Sequence, residues 1–152
     1  MKFTDNEKAI LREIQRDSSA SLAEIAERTN MAQSTVWRKL QEFDAADIVR
    51  KRVALLNPAA VGAKLCVFAS VSLADHSAEA VEGFAAMVRL HPEILECHAL
   101  SGTSDYILKI RVTDVEAYEE FMTHNLLRNP HVQSVVSSFS LKQMKSTTEL
   151  PV

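Results

Sequence analysis

Apolar residues in the first third of the chain recur at the three- and four-residue spacing of amphipathic helices. One helix is predicted after Thr4, a second after Ser21 and a third over residues 33–43. The segments 4–7 and 21–24, Thr-Asp-Asn-Glu and Ser-Leu-Ala-Glu, are typical capping boxes. Asn30 is expected to end the second helix in a left-handed conformation, whereas Ala32 is a poor N-cap for the third.

The pattern changes after Asp47 to runs rich in β-formers. Residues 48–56 predict a short strand or hairpin that Asn57-Pro58 ends, followed by a linker over residues 57–63. Strands are then predicted at 64–73, 94–100, 106–112 and 132–141, with helices at 77–90 and 113–127. The second of these helices is expected to begin at a capping box in Thr113-Asp-Val-Glu116. The order βαββαβ predicts a ferredoxin-like domain, an antiparallel sheet with both helices on one face.

The opposite face of this sheet would have no helix to cover it. Apolar strand residues there are expected to require a partner subunit. The candidates for this face are Phe68 and its neighbours, or Phe139 and Leu141.

The second and third helices, joined by a short turn, are typical of a helix-turn-helix. The third helix has polar outward positions that can read base edges or bond phosphates, and the basic run after Val49 could reach the flanking DNA backbone. The candidate DNA-binding residues are Gln33, Ser34, Thr35, Trp37, Arg38, Lys39, Arg50 and Arg52, with Gln41 on the same outer face. A three-helix packing unit with a solvated face remains an alternative, and Trp37 alone is more typical of a half-buried aromatic that closes a small core.

Composition excludes several classes of protein. The chain has 152 residues, 47 % of them hydrophobic and 24 % charged, which is ordinary for one or two globular domains. Only 3 Gly are present, too few to favour a glycine-rich phosphate-binding loop. Two cysteines without CxxC spacing favour a reducing cytoplasm, and no apolar run reaches the roughly 20 residues of a membrane span.

Charge differs between the two halves of the chain. Residues 1–57 carry 10 Lys/Arg and 9 Asp/Glu, whereas residues 58–152 carry 7 and 11. The weakly basic first part is therefore the one expected to meet a polyanion such as double-stranded DNA.

Several stretches resemble the leucine-responsive regulatory protein/asparagine-regulator (Lrp/AsnC, or feast/famine) family of transcription regulators. In the first half these are Ser21-Leu-Ala-Glu-Ile-Ala-Glu and Ser34-Thr-Val-Trp-Arg-Lys-Leu; in the second half, Leu100-Ser-Gly-Thr-Ser-Asp-Tyr. The resemblance covers nearly the whole chain. It departs from the family at Ala32, where Ser is common, and before Ile48, where Gly is common.

The resemblance implies a DNA-binding regulator that senses a free amino acid. Residues 1–57 would form a winged helix-turn-helix domain with a strand linker, and residues 58–152 a ferredoxin-like α+β domain for sensing and assembly. In such regulators the effector pocket lies between subunits of a dimer, tetramer or octamer, so the last strand contributes too. The implied effector residues are Gly102, Thr103, Ser104, Asp105, Tyr106, Gln133 and Ser134. Backbone N–H groups near Gly102 would hold the carboxylate and Asp105 would pair with the ammonium, although these turn residues alone also suit an ordinary hairpin.

The sequence gives little support for an enzyme. The five histidines show no metal-binding spacing, and Cys97 and His98 are adjacent in a strand, so their side chains point to opposite faces. Cys66 and Cys97 are expected on strands that a third strand separates, too far apart for a disulfide. We therefore predict no catalytic residue, metal or cofactor. The alternative is a small-molecule-binding ferredoxin-like protein with a helical interaction module and no role at DNA.

Overall fold

The computed structural model describes residues 2–152, which form two compact units. The first consists of residues 2–55 and 144–152, and the second of residues 56–143. The predicted boundary at 57/58 lies close to this division, but the last nine residues, which we assigned to the second domain, contact the first unit instead.

Three helices make up most of the first unit: α1 (Asp5–Arg16), α2 (Leu22–Thr29) and α3 (Gln33–Ala45). Both capping boxes predicted for these helices are present. The side chains of Thr4 and Ser21 each accept from the backbone N–H of the Glu three residues later, and the carboxylate of that Glu accepts from the backbone N–H of the capping residue. Ala32 gives α3 no side-chain cap. The helices enclose a core of Ile10, Leu11, Ile25, Ala26, Val36 and Phe43.

Two left-handed residues end α2 and α3. Asn30 (φ 53°) follows α2, where the Met31 N–H donates to Ala26 O at 2.9 Å. Asp47 (φ 53°) follows α3, and the Ile48 N–H donates to Phe43 O at 2.9 Å. Both ends are Schellman motifs. The prediction for Asn30 is confirmed. Asp47 occupies the position before Ile48 at which the family that the sequence resembles commonly has Gly.

The strand or hairpin expected at residues 48–56 is absent. Residues 50–57 are irregular, and Val53, Leu55 and Leu56 are exposed. Their β-forming side chains suit a pleated, half-buried surface, but the described residues offer them no neighbouring strand, so no ladder of hydrogen bonds forms.

Residues 144–152, the C-terminal segment, return to α1. Arg12 donates from Nε and Nη2 to the Val152 carbonyl oxygen at 2.9 and 2.7 Å. The amide of Gln15 accepts from Leu150 N–H at 2.6 Å and donates to Leu150 O at 3.3 Å. The segment is therefore held by backbone hydrogen bonds, with Val152 packed on the helical core.

The second unit has the predicted βαββαβ order. Its elements are β1 (Leu65–Leu73), α4 (Ala78–Leu90), β2 (Ile94–Ala99), β3 (Tyr106–Val112), α5 (Val115–Phe121) and β4 (Val132–Phe139). All pairings are antiparallel, in the order β2-β3-β1-β4. β3 thus separates Cys66 from Cys97, as predicted, and both thiols are free.

The core of the second unit lies between one face of the sheet and the helices. Phe84 of α4 and Tyr118 of α5 pack with Val67 and Val71 of β1. α5 differs from the prediction, because Asp114 rather than Thr113 caps it and the segment Met122–Leu126 is π-helical.

No helix within residues 56–143 packs on the other face of the sheet. Phe68 lies there, on the opposite face of β1 from the buried Val67 and Ala69, and is 38 % exposed. Phe139, the alternative candidate for this face, instead faces the helices, and its ring centroid lies 5.5 Å from that of Tyr118. Leu141 lies beyond the end of β4 and is fully exposed.

Candidate DNA-binding and effector sites

One side of α3 is exposed and polar. Its members recur at positions i, i+1, i+4, i+5 and i+8, so they line one stripe along the helix. The stripe consists of Gln33, Ser34, Trp37, Arg38 and Gln41. Thr35 lies beside it and is only partly exposed. A helix that follows a three-residue turn and presents such a stripe has the form of a recognition helix.

Trp37 is 57 % exposed. The interpretation of this residue as a half-buried member of the core is wrong, because Val36 and Phe43 occupy the buried side of α3. The indole of Trp37 instead provides a large apolar surface in the middle of a polar stripe. Such a surface is unusual on a solvated helix and common at binding interfaces.

The basic residues of α3 are held by carboxylates. Lys39 Nζ lies 2.9 Å from Glu7 Oε1 and 2.7 Å from Glu42 Oε2, and Arg38 pairs with Glu42. The hydrogen bonds to Glu42 and Glu7 raise the pKa of Lys39, and the bonds from Lys39 and then Thr4 lower the pKa of Glu7 to about 2. Lys39 therefore ties α3 to α1, whereas Arg38 is anchored only within its own helix and stays exposed.

The two arginines after α3 differ in their surroundings. Arg52 forms a salt bridge with Asp44 at 3.1 Å. Arg50 is exposed and has no ion pair with the described residues. Arg50 is thus the more available of the two for a phosphate.

The connection between β2 and β3 holds the predicted effector loop. At Gly102 an added β-carbon would meet nothing within 4 Å, so the backbone is open to approach. Asp105 anchors the end of the loop: its N–H donates to Val71 O at 3.0 Å and its carbonyl oxygen accepts from Leu100 N–H at 2.8 Å.

The carboxylate of Asp105 already has two partners. Oδ2 accepts from the Leu73 N–H at 2.7 Å, on the β3 side of β1 and beyond the last pair of these strands, Val71 with Tyr106. Oδ1 lies 2.8 Å from Nε2 of His76. The hydrogen bond from His76, followed by that from Leu73, holds the pKa of Asp105 below its usual value. His76 was not among the effector residues predicted from the sequence. The sequence shows only that an ionisable residue lies in the connection before α4, and it does not show that this residue meets Asp105.

The other predicted effector residues lie at the same end of the sheet. Tyr106 packs on Phe84, with ring centroids 4.8 Å apart. Thr103 is exposed and Ser104 partly buried. Gln133 and Ser134 are exposed on β4, and Ser134 pairs with Ser72 of β1. β1 therefore separates them from Asp105, at about 10 Å for two strand spacings.

A cavity of about 540 Å³ lies elsewhere in the second unit. Its walls include Gly62, Arg111, Phe121 and His124, and none of the predicted effector residues. Residues 2–152 bring no three His, Cys, Asp or Glu together in a way that could hold a metal ion. No helix within this range is long and apolar enough to cross a bilayer.

A helix-turn-helix with an exposed stripe, followed by a ferredoxin-like unit with an open loop, defines the class of two-domain, ligand-responsive transcriptional regulators. Residues 3–50 match the model of winged helix-turn-helix DNA-binding domains, and residues 66–150 match the model of the Lrp/AsnC ligand-binding domain. The chain belongs to the Lrp/AsnC family.

Relatives support this assignment along the whole chain. The glutamate uptake regulatory protein of Zymomonas mobilis is 30 % identical over 99 % of this chain and 92 % of its own. The transcriptional activator DecR of Escherichia coli is 32 % identical over 96 % of both chains. A transcriptional regulator from Neisseria meningitidis, NMB0573 solved with L-Met, is 38 % identical, with a TM-score of 0.95 over 99 % of this chain and 97 % of its own.

Proposed function

We propose that this regulator binds double-stranded DNA sequence-specifically through α3 and that a free amino acid modulates its DNA affinity or its oligomeric state. The observation that carries the proposal is the exposed stripe on α3. In the major groove, Gln33 and Ser34 would meet base edges near the start of the helix. Arg38 would leave its ion pair with Glu42 and bond guanine or a phosphate, and Arg50 would bond the flanking DNA backbone.

Arg38→Ala tests the DNA contact. Anisotropy of a labelled duplex from upstream of the regulator's own gene should show a loss of about 1–3 kcal/mol in binding free energy if Arg38 reads a base. Arg89→Ala is the matched control, because Arg89 is equally exposed on a helix and also pairs with a glutamate, Glu82. Equal affinity of both variants for the operator would contradict the assignment of α3.

The proposed effector is a free amino acid, held in the loop after β2. The names of relatives mention glutamate and leucine, and one solved structure contains L-Met. The open backbone at Gly102 favours a carboxylate bound by N–H groups, with Thr103 and Ser104 beside it, and Asp105 offers an acceptor for the ammonium. Tyr106 would shape the floor, and Gln133 and Ser134 would contribute from β4.

A thermal-shift screen of the twenty amino acids identifies the effector, because a ligand that binds only the folded state raises the midpoint. Asp105→Asn should then weaken binding about tenfold or more, since it removes the charge but keeps an oxygen for the Leu73 N–H. Asp114→Asn is a suitable control, as Asp114 also accepts a backbone N–H. Gly102→Val should abolish binding. Unchanged affinity in both loop variants would retire this site and leave the DNA proposal untouched.

Assembly is proposed to use the uncovered face of the sheet. Phe68 and Val136 are exposed on adjacent strands, with 38 % and 63 % of their surface accessible, and pairing two such faces would bury them. Light scattering of the full chain should give the molar mass of a dimer, tetramer or octamer, and Phe68→Glu should lower this molar mass because it places a charge in the proposed interface. Val115→Glu places the same charge at an exposed apolar position of α5 and should not.

We infer a regulator without enzymatic activity or cofactor that acts in the cytoplasm, in keeping with a DNA target. If the chain bound an amino acid but showed no affinity for any duplex, the alternative of a sensing protein with a helical interaction module would be favoured.

A further inference from the structure

Both oxygens of the Asp105 carboxylate have donors before any effector is present. The Leu73 N–H occupies Oδ2 at 2.7 Å, and the His76 ring occupies Oδ1 at 2.8 Å. The bond from Leu73 belongs to the backbone and fixes the carboxylate in place. The bond from His76 comes from a side chain that is 70 % exposed, so it can be broken without disturbing the fold.

The charges around His76 are few. Asp105 faces the ring from the β2–β3 connection, and Asp75 faces it from the β1–α4 connection. Asp75 itself accepts from the Ser77 N–H at 2.8 Å, and His131, before β4, is a further ionisable residue near Asp75. Asp105 is therefore the direct partner of the imidazole.

A carboxylate has lone pairs for several donors, so an ammonium group could approach Asp105 while the ring stays nearby. Two cations at hydrogen-bond distance from one carboxylate repel each other, whereas a neutral imidazole leaves the charge of Asp105 to the ammonium. We propose that protonated His76 and the ammonium group of the effector compete for Asp105, so that a free amino acid binds with release of a proton from His76. This inference rests on the proposed role of Asp105 in effector binding.

The direction of the pH effect follows from the ion pair. The hydrogen bond and charge of Asp105 raise the pKa of His76 above its usual value. Below this raised pKa the ring is charged and holds the carboxylate; above it the ring is neutral. Effector affinity is therefore low in mild acid and rises as the pH increases, by up to about tenfold per pH unit for one linked proton.

Calorimetric titration of the full chain with L-methionine at pH 5.5 and 7.5 tests the proposal, with the other nineteen amino acids as further probes. The amino group of a free amino acid keeps its proton at both values. Wild type should bind at least about fivefold more tightly at pH 7.5, and buffers of different ionisation enthalpy should report proton release. His76→Gln should bind equally at both pH values and more tightly than wild type at pH 5.5.

His124→Gln is the matched control, because it removes another exposed imidazole, whose Nδ1 lies 2.9 Å from the backbone oxygen of Glu120. It should keep the pH dependence of wild type. Equal wild-type affinity at both pH values, or a pH dependence that survives in His76→Gln, would overturn the competition while leaving the effector proposal standing. If no amino acid binds at either pH, the effector proposal fails and the competition fails with it.

Discussion

Gly83→Ala is expected to destabilise the second unit, although alanine is the better helix former. Gly83 lies inside α4, where replacing Gly by Ala ordinarily gains about 1 kcal/mol. A β-carbon at this position would lie 2.6 Å from both Cδ2 and Nε2 of the His131 ring. Such overlap costs about 1–3 kcal/mol when the neighbour cannot withdraw.

His131 can withdraw only by rotating its side chain. Its N–H donates to Asn129 Oδ1 at 2.9 Å, and its carbonyl oxygen accepts from the Ala74 N–H at 2.8 Å, so the backbone is held on both sides. We therefore expect the overlap to exceed the helical gain, with a net loss of about 1 kcal/mol. For a unit of this size the midpoint should fall by about 4–8 °C.

The aromatic residues allow the second unit to be followed separately. Both tyrosines, Tyr106 and Tyr118, lie in it, whereas the one tryptophan, Trp37, lies in the first unit. Thermal unfolding followed by the near-ultraviolet signal of the tyrosines, at one fixed protein concentration, should therefore show the lower midpoint of Gly83→Ala.

A double variant isolates the cause of the loss. In a His131→Ala background the ring is gone, so Gly83→Ala should there stabilise by about 1 kcal/mol. A midpoint that rises in the single Gly83→Ala variant would refute the reasoning, because the ring would then have moved at little cost.

Three further predictions concern the first unit. Asp47→Gly should raise the free energy of unfolding by about 0.5–1 kcal/mol, since φ 53° at this position suits glycine better; an unchanged urea midpoint would count against this. Arg50→Ala should reduce the slope of log affinity for DNA against log salt concentration by about 0.9, and Arg52→Ala should reduce it less because Asp44 already holds that side chain. DNA titrations at several salt concentrations measure both slopes, and equal slopes for the two variants would contradict the different roles of the two arginines. The pKa of Glu7 is about 2 in the fold and 4.5 without its partners, so its contribution is complete above about pH 4.5 and is lost as the pH falls towards 2. Glu7→Gln should flatten acid unfolding curves across that window, and a curve as steep as that of wild type would argue against the pairing with Lys39.

Elements fixed by short-range chemistry were predictable from the sequence. The capping boxes at Thr4 and Ser21 and the left-handed Asn30 depend on residues a few positions apart, and each was found where expected. The βαββαβ order followed in the same way from local periodicity. Residues 48–56 show the limit, because a β-rich run says nothing about whether a neighbouring strand exists.

The features missed by the sequence depend on distant residues. His76 meets Asp105 across 29 positions, and only the folded sheet brings them together. Trp37 was misjudged because its burial depends on how α3 rotates against the other helices, which pattern alone does not define. The choice between Phe68 and Phe139 for the uncovered face stayed open because it depends on the register of β4 with β1, which pairs Phe139 with the buried Val67.

The return of the C-terminal segment to α1 has a consequence for the chain topology of the first unit. Arg12 and Val152 are 140 positions apart, yet they share two hydrogen bonds. The first unit is therefore built from two stretches that lie far apart in the sequence, residues 2–55 and 144–152. In topological terms the sensing unit is an insertion within the DNA-binding unit. A fragment cut at residue 57 would therefore isolate three helices with part of α1 uncovered, and measurements of DNA binding on such a fragment would describe an incomplete domain.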